Sequence, residues 1–457
     1  MTYKYSSIYL ESKQLLKLAV PLAGAQVAQA LTGFVDTLMM GRLGAATLAA
    51  GGLATITFMT LIGVVGAVAT AVTPLIAEAN ATDRKQVATI ASQGVYLVLF
   101  ATVPLTITVA KIDRLFLALG QEPTVVTLAD TYLDLMVWSC FPATGSILLR
   151  GIVSGLACAR PIASIAIWGT LFNIGGNYVL AFGKLGFPPL GISGLAIASV
   201  VTHWGMFLSL ALYIARHPQL KTYSLVNPSY QFQLDVFSKL LRLGIPIGLF
   251  IALESGLFAV VSYLMGMVNT ETLAAHQIVL QTIVIIFMVP LGISHAATIR
   301  VGHSYGRQHI LGIQRAAYLS IALGLLFNLL MAIAVCLFPQ VVIGLYLDPT
   351  DPSNLPIIKI AVPMLIVGVV ALILDGMQKI VYGVLQGLQD TQFPVILSIM
   401  AFWGVGLTTG YILGFNYSLG GIGLWLGQSL GLAIAAVLFC GRTMSLIDRL
   451  KCQSLPK

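Results

Sequence analysis

The amino-acid sequence predicts an all-α polytopic membrane protein with twelve transmembrane helices in two six-helix repeats. Three observations predict this class. Hydrophobic residues make up 58% of the 457-residue chain and charged residues only 9%, with a mean hydropathy of +0.94. Such a composition leaves a water-soluble fold without enough polar surface. Apolar stretches that reach the roughly 20 residues needed to cross hydrocarbon fall at 16–40, 46–79, 88–110, 125–153, 161–183, 190–215, 240–268, 271–300, 315–347, 354–386, 392–414 and 419–443. The two halves also repeat without a gap at an offset of 225 residues, so that Leu18, Pro21, Met40, Gly41 and Thr47-Leu48-Ala49-Ala50 recur as Leu243, Pro246, Met265, Gly266 and Thr272-Leu273-Ala274-Ala275.

Taken in order, the first stretch runs past signal-peptide length with no small-residue cleavage pattern, so it is expected to remain as a span. It holds Pro21, read as a tolerated kink rather than a hinge, and Asp36 within GFVDTLM. The second, third and ninth stretches rest on length and apolarity alone. The fourth carries Asp130 and Asp134 near its outer end, where solvated surface acids are the default, and is followed by Gly151-x-x-x-Gly155-Leu156. Asn173 and Asn177, four apart and therefore on one face, lie in the fifth, and Thr202 lies in the sixth. The polar interruption at 216–239 is expected to be a cytoplasmic linker between an N-lobe (1–215) and a C-lobe (240–457), solvated or with its end along the membrane surface through Phe232, Leu234, Val236 and Phe237.

The seventh stretch holds Pro246 and Glu254 within IALESGL, and the eighth holds His276 and His295. Both histidines, like His203 in the sixth, are read as hydrogen-bonded structural groups ahead of titrating ones. The tenth contains Asp375 within LILDGMQ, then Gly383-x-x-x-Gly387-Leu388, the counterpart of the glycines after the fourth at an offset of 232. Gly420 and Gly423-Leu424, at the start of the twelfth, match Gly191 and Gly194-Leu195. Small residues at this spacing let helix backbones approach closely, so these glycines are expected to serve packing. Stretches beyond the minimum length are expected to tilt, kink or extend out of the lipid.

Nineteen of the 24 basic residues, Arg150, Arg300 and Lys379 among them, fall on the cytoplasmic side when the N-terminus is inside, against five outside. The asymmetry predicts both termini in the cytoplasm and an even number of spans in the plasma (inner) membrane. The net charge of +8 therefore has a membrane explanation, and no basic patch on a soluble element points to nucleic acid. Cys140, Cys158, Cys336, Cys440 and Cys452 show no paired spacing, so neither a disulfide framework nor a cysteine metal site is expected.

A carboxylate at bilayer depth costs roughly 2.5–3.5 kcal/mol on insertion scales, which makes Asp36, Glu254 and Asp375 the residues that call for a function. At the repeat offsets they face Val261, Gln29 and Ala143: the scaffold repeats and the acids do not. The spans show almost no interior Lys or Arg to pair with them. An acid without a fixed counter-charge can take a proton, a sodium ion or an organic cation in turn, which is the minimal chemistry of antiport. The side-chain oxygens of Asn173, Asn177 and Thr202 suit a hard monovalent cation, with interhelical hydrogen bonding as the equal alternative. Tandem membrane repeats of like topology are a common build for secondary transporters, with substrate held between the halves.

Four segments, VPLAGAQ…VDTLMMGRLG…LAA, GIP…ALESG…TLAAHQI, VPLGISHAATIRVGHSYG and LDGMQKIVYGVLQGLQDT, together resemble the multidrug and toxic compound extrusion (MATE) family, particularly its NorM-like branch, over nearly the whole chain. The resemblance implies two six-helix lobes in a V-shaped bundle and export of cationic, amphipathic compounds driven by sodium or proton entry. It implies one cation site at Asp36 with Asn173, Asn177 and Thr202, and another at Glu254 with Asp375; Na+ is expected at either. The two C-lobe acids separate the chain from the DinF-like branch, which lacks them. A tyrosine that many NorM-like members carry one turn before the tenth-span acid is Ala371 here.

The reading is therefore a cation-coupled (Na+ or H+) antiporter, not an enzyme, with no cofactor, small cationic substrates, lipid as its surroundings and a monomeric state. One alternative is a flippase for lipid-linked saccharides, which should line its cleft with several mid-span Arg or Lys. Another is an integral membrane lipid enzyme, which would need a motif such as HExxH that the sequence does not contain.

Overall fold

The computed structural model describes residues 2–118, 121–221, 223, 231–348 and 351–454. Among the described residues, twelve helices are long and apolar enough to cross a membrane: helix 1 (Ile8–Leu43), helix 2 (Ala46–Thr82), helix 3 (Lys85–Val109), helix 4 (Pro123–Gly155), helix 5 (Arg160–Phe182), helix 6 (Ile192–Arg216), helix 7 (Leu234–Val268), helix 8 (Thr270–Gly306), helix 9 (Ile310–Leu337), helix 10 (Leu355–Gly387), helix 11 (Gln392–Asn416) and helix 12 (Gly420–Cys452). No strand occurs among the described residues. Each of the twelve stretches read from the sequence falls on one of these helices. The largest difference in limits is at helix 9, which stops at Leu337 because Pro339, lacking an N–H, opens a separate short helix, Pro339–Gly344.

Residues 222 and 224–230 of the expected linker lie outside the described residues. The part that is described is not simply solvated. Phe232 packs edge-on against Tyr96 and Phe100 of helix 3, with ring centroids 5.7 and 6.4 Å away, and Phe237 lies 6.1 Å from Phe100. The Gln93 amide donates to the Gln231 carbonyl at 3.1 Å and accepts from the Gln233 N–H at 3.2 Å. Ring contacts plus two bonds from the Gln93 side chain to the backbone tie this segment to helix 3, although Phe232 stays exposed, and helix 7 starts at Leu234, earlier than the hydropathy suggests.

The chain forms two compact units, Gly24–Gly248 and Met1–Ala23 together with Leu249–Lys457. The divisions fall inside helices 1 and 7, each two residues beyond a proline, Pro21 or Pro246, that is itself duplicated at the 225-residue offset. Both helices run through their prolines.

The unit Gly24–Gly248 is built around Met40, Phe58, Leu133 and Met136. Gly151 and Gly155 of helix 4 sit against Thr73 and Ile76 of helix 2, where a β-carbon would crowd them. In the other unit Phe250, Phe402, Trp425 and Phe439 fill the core. There Gly383 and Gly387 of helix 10 meet Ser294, Thr298 and Val301 of helix 8, and Thr298 donates to the Gly383 carbonyl at 2.9 Å. Both glycine pairs thus act in close backbone approach, as their spacing suggests. Helix 11 departs from regular α geometry, with π-helical turns at Ile399–Leu407 and Ile412–Asn416. Such turns rotate side chains away from their α-helical directions.

Candidate functional site

In the Gly24–Gly248 unit, helices 1 and 5 meet along a polar seam. Thr32 and Asp36 are one turn apart on helix 1, while Thr170, Asn173 and Asn177 share a face of helix 5 through their three- and four-residue spacing. The Thr32 and Thr170 hydroxyls are 2.8 Å apart, and Thr170 also donates to the Ala28 carbonyl at 3.0 Å, which fixes the two helices in register. Deeper along the seam the Asn177 amide donates to the Asp36 carboxylate. The same Asn177 nitrogen donates to Asn173 Oδ1 at 3.0 Å, and the Asn173 amide donates to Ser199 Oγ of helix 6 at 3.3 Å. Asp36 is only 7% exposed, and Asn173 and Asn177 are fully buried.

Among the described residues no Lys, Arg or His forms an ion pair with Asp36. Its hydrogen-bond partner is a neutral amide, whose own oxygen, Asn177 Oδ1, is buried without a partner. A carboxylate beside an unsatisfied amide oxygen is a donor set for a small hard cation, which takes oxygen ligands. Thr202 is buried too, but its hydroxyl donates to the Ala198 carbonyl at 2.7 Å, and no hydrogen bond joins it to Asp36, Asn173 or Asn177. It borders a groove of about 660 Å³ between helices 5 and 6, with Trp168, Phe172 and Met206. Ser199, one turn before Thr202, takes the place in the network that the sequence reading assigned to the threonine. The three-residue spacing of Ser199 and Thr202 on helix 6 was the available signal. Tyr132 of helix 4, buried within electrostatic range of Asp36, was also missed.

In the other unit the structure corrects the expectation of unpaired acids. Glu254 of helix 7 forms a salt bridge with Lys379 of helix 10, their side chains being 12% and 8% exposed. Lys379, counted in the sequence as a cytoplasmic charge, is therefore an interior base. Its ammonium also lies 4.9 Å from the ring centroid of Phe250, one turn before Glu254. Phe250 in turn stacks on Tyr382 at 3.9 Å. Arg150, half-buried, donates to the exposed Gln29 at 3.3 Å, and Gln29 is the repeat counterpart of Glu254. In each unit, then, a polar residue of helix 1 or 7 holds a base of helix 4 or 10.

Asp375 does not hydrogen-bond to Glu254. It sits one helical turn before Lys379, within Coulombic range of both Glu254 and Lys379, and its Oδ1 is buried without a partner, as is Glu254 Oε1. Ala371, one turn earlier, is buried and offers no side-chain oxygen. Asn328 of helix 9 presses its amide against Gly376, the neighbour of Asp375. Trp403, in a π-helical turn of helix 11, donates from Nε1 to the Leu253 carbonyl at 3.2 Å, and so braces the backbone beside Glu254. Neither Asn328 nor Trp403 carried a signal in the sequence. His276 is bonded through Nε2 to Ser262 at 2.8 Å, as its structural reading expects, whereas His203 stacks on Phe58 and its Nδ1 is buried without a hydrogen-bond partner.

The MatE family model matches residues 21–179 and 246–412, more than half the chain and once in each repeat. The chain is 46% identical over 447 residues to the "Probable multidrug resistance protein NorM" of Synechocystis sp., covering 98% of this chain and 96% of that protein. It is 45% identical over 441 residues to the protein of the same name from Synechococcus sp., at 96% and 95% coverage. A solved structure described as the outward-facing conformation of a multidrug resistance MATE family transporter of the MOP superfamily superposes with a TM-score of 0.88 at 22% identity, over 96% of this chain and 97% of the other. Two matched repeats, near full-length relatives and a shared twelve-helix fold lead to one statement: the chain belongs to the MatE family.

Proposed function

We propose that the chain is a multidrug efflux antiporter that exchanges small cationic, amphipathic compounds for an entering Na+ or H+ by alternating access. The observation that carries this reading is Asp36: a buried carboxylate held by the neutral amide of Asn177, with no base paired to it among the described residues and an unpartnered amide oxygen at its side. Burying such a charge costs free energy that a mobile cation offsets on arrival. Guests that each offset it exclude one another, so entry of an ion displaces drug and drug displaces the ion. Asp36 with Asn173 and Asn177 is the cation site we favour, with Thr202 bordering it; Glu254 and Asp375 form the second. The relatives named for multidrug resistance support the substrate class.

Lobes 1–215 and 240–457, joined by 216–239, are the bodies proposed to move, in a monomer of the inner membrane with both termini cytoplasmic and lipid around it. No bond chemistry and no nucleic-acid partner is part of the proposal. The saccharide-flippase alternative needs several uncommitted interior cations, whereas Lys379 is paired with Glu254 and Arg300 with Glu11. The test is ethidium transport in proteoliposomes with a sodium or a proton gradient imposed separately. One gradient should drive transport and Asp36→Asn should abolish the coupling. Ethidium movement indifferent to both gradients would reject the proposal.

A further inference from the structure

We propose that Lys379 is a specificity-determining residue: a tethered ammonium that holds the Glu254–Asp375 pair at a single net negative charge, so that this site accepts one monocation and disfavours dications. The inference rests on the antiport reading above, in which drug and ion compete for these carboxylates.

The placement of Lys379 is built rather than incidental. It is 7% exposed, and its backbone carbonyl accepts a 2.7 Å hydrogen bond from Ser294 Oγ of helix 8. The ammonium lies between Glu254 and the face of Phe250, and Phe250 is itself held by Tyr382. A lysine near a span end ordinarily extends its stem toward water; this one turns inward and commits its charge.

The salt bridge engages one carboxylate oxygen. Glu254 Oε1 and Asp375 Oδ1 remain buried without partners. With both carboxylates ionised, as a bound cation requires of them, two carboxylates and one ammonium sum to one negative charge, which a single monocation neutralises. A dication would leave one positive charge uncompensated in a site of low polarizability and beside Lys379, a costly arrangement. Had the lysine been absent, the same pair would hold a dication or two monocations. A neutral residue at 379 therefore changes which guests fit, while the fold around it is kept by the core aromatics.

Ethidium and propidium share one aromatic system and differ in that propidium bears a second fixed positive charge, which makes their ratio of dissociation constants a direct reading of the charge rule. Binding is measured by dye fluorescence on purified full-length protein in the Asp36→Asn background, so that the C-terminal acids are the charged site. The parent protein should prefer ethidium, and Lys379→Arg should keep that preference. Lys379→Met should shift the ratio toward propidium by about tenfold or more, the scale of one unit charge at close range in a protein interior. Adding Glu254→Gln to Lys379→Met restores one net negative charge through Asp375 and should restore the parent ratio.

An unchanged ratio in Lys379→Met overturns the proposal, as does a double variant that keeps the Lys379→Met value. Should Lys379→Met fail to fold, Glu254→Gln and the double variant give the same comparison: removal of the ammonium must again move the ratio toward propidium, and no movement overturns the proposal. Failure of the protein with Asp36 intact to bind either dye would instead reject the antiport reading, and this inference with it.

Discussion

Glu254→Gln should destabilise this protein, and the size of the loss follows from the geometry around Lys379. The substitution keeps the shape of the side chain and removes its charge, leaving the ammonium of a side chain 8% exposed with no carboxylate bonded to it. Breaking a buried pair from one side costs about 3–5 kcal/mol, because the remaining charge stays desolvated. The Phe250 face at 4.9 Å and Asp375 one turn away retain part of the compensation, which places the expected loss near the lower end, about 3 kcal/mol. Scaled by an unfolding entropy proportional to chain length, that is on the order of 3 °C in melting temperature. Lys379→Met alone strands Glu254 beside Asp375 and should cost a similar amount. The double variant removes both charges and should recover most of the loss, since an apolar replacement of a buried pair is close to neutral. Thermal unfolding of the purified variants, followed by tryptophan fluorescence, measures all four corners of the cycle. If Glu254→Gln melts with the parent protein, the pair does not hold its charge buried, and the reasoning about Lys379 falls.

Three further outcomes are expected. Asn177→Leu removes the amide that donates to Asp36 and the unpartnered oxygen beside it, and should raise the coupling-cation concentration for half-maximal efflux by about tenfold; Thr202→Val, whose hydroxyl is spent on Ala198, should change it by less than about threefold. Cation titration of efflux in proteoliposomes reads both. Trp403→Phe deletes the bond to the Leu253 carbonyl and should cost about 1 kcal/mol in the unfolding assay. Gly427→Ala would push a β-carbon into the backbone of Gly410 and should lower the yield of folded protein in size-exclusion chromatography, whereas Gly441→Ala, which faces open space on the same helix, should not.

The twelve helices were legible because a run of apolar residues long enough for hydrocarbon has few other uses, and the packing glycines were legible because their spacing repeats. The Asn173–Asn177 pair could be placed on one face of helix 5 by periodicity alone, and Asn177 meets Asp36 while Asn173 bonds to Asn177. Partner choice was a different matter. Lys379 stands near the end of an apolar stretch, where a lysine normally reaches back to the interface; only the approach of helix 7, with Glu254 and Phe250 one turn apart, turns it inward. Thr202 and Ser199 lie about one turn apart on the same face, and which hydroxyl meets Asn173 depends on the placement of helix 6, a tertiary property. Trp403 was hidden for a similar reason: its direction is set by π-helical turns that leave no mark in the hydropathy pattern.

The central claim is that buried carboxylates are neutralised in turn by mobile cations. Its most direct measurement is gradient-driven ethidium transport in proteoliposomes by the parent protein and by the combined Asp36→Asn, Glu254→Gln, Asp375→Asn variant, scored alongside the amount of folded protein inserted. The account predicts transport coupled to one imposed cation gradient in the parent and none in an inserted, folded variant. Equal coupled transport by the two would contradict it.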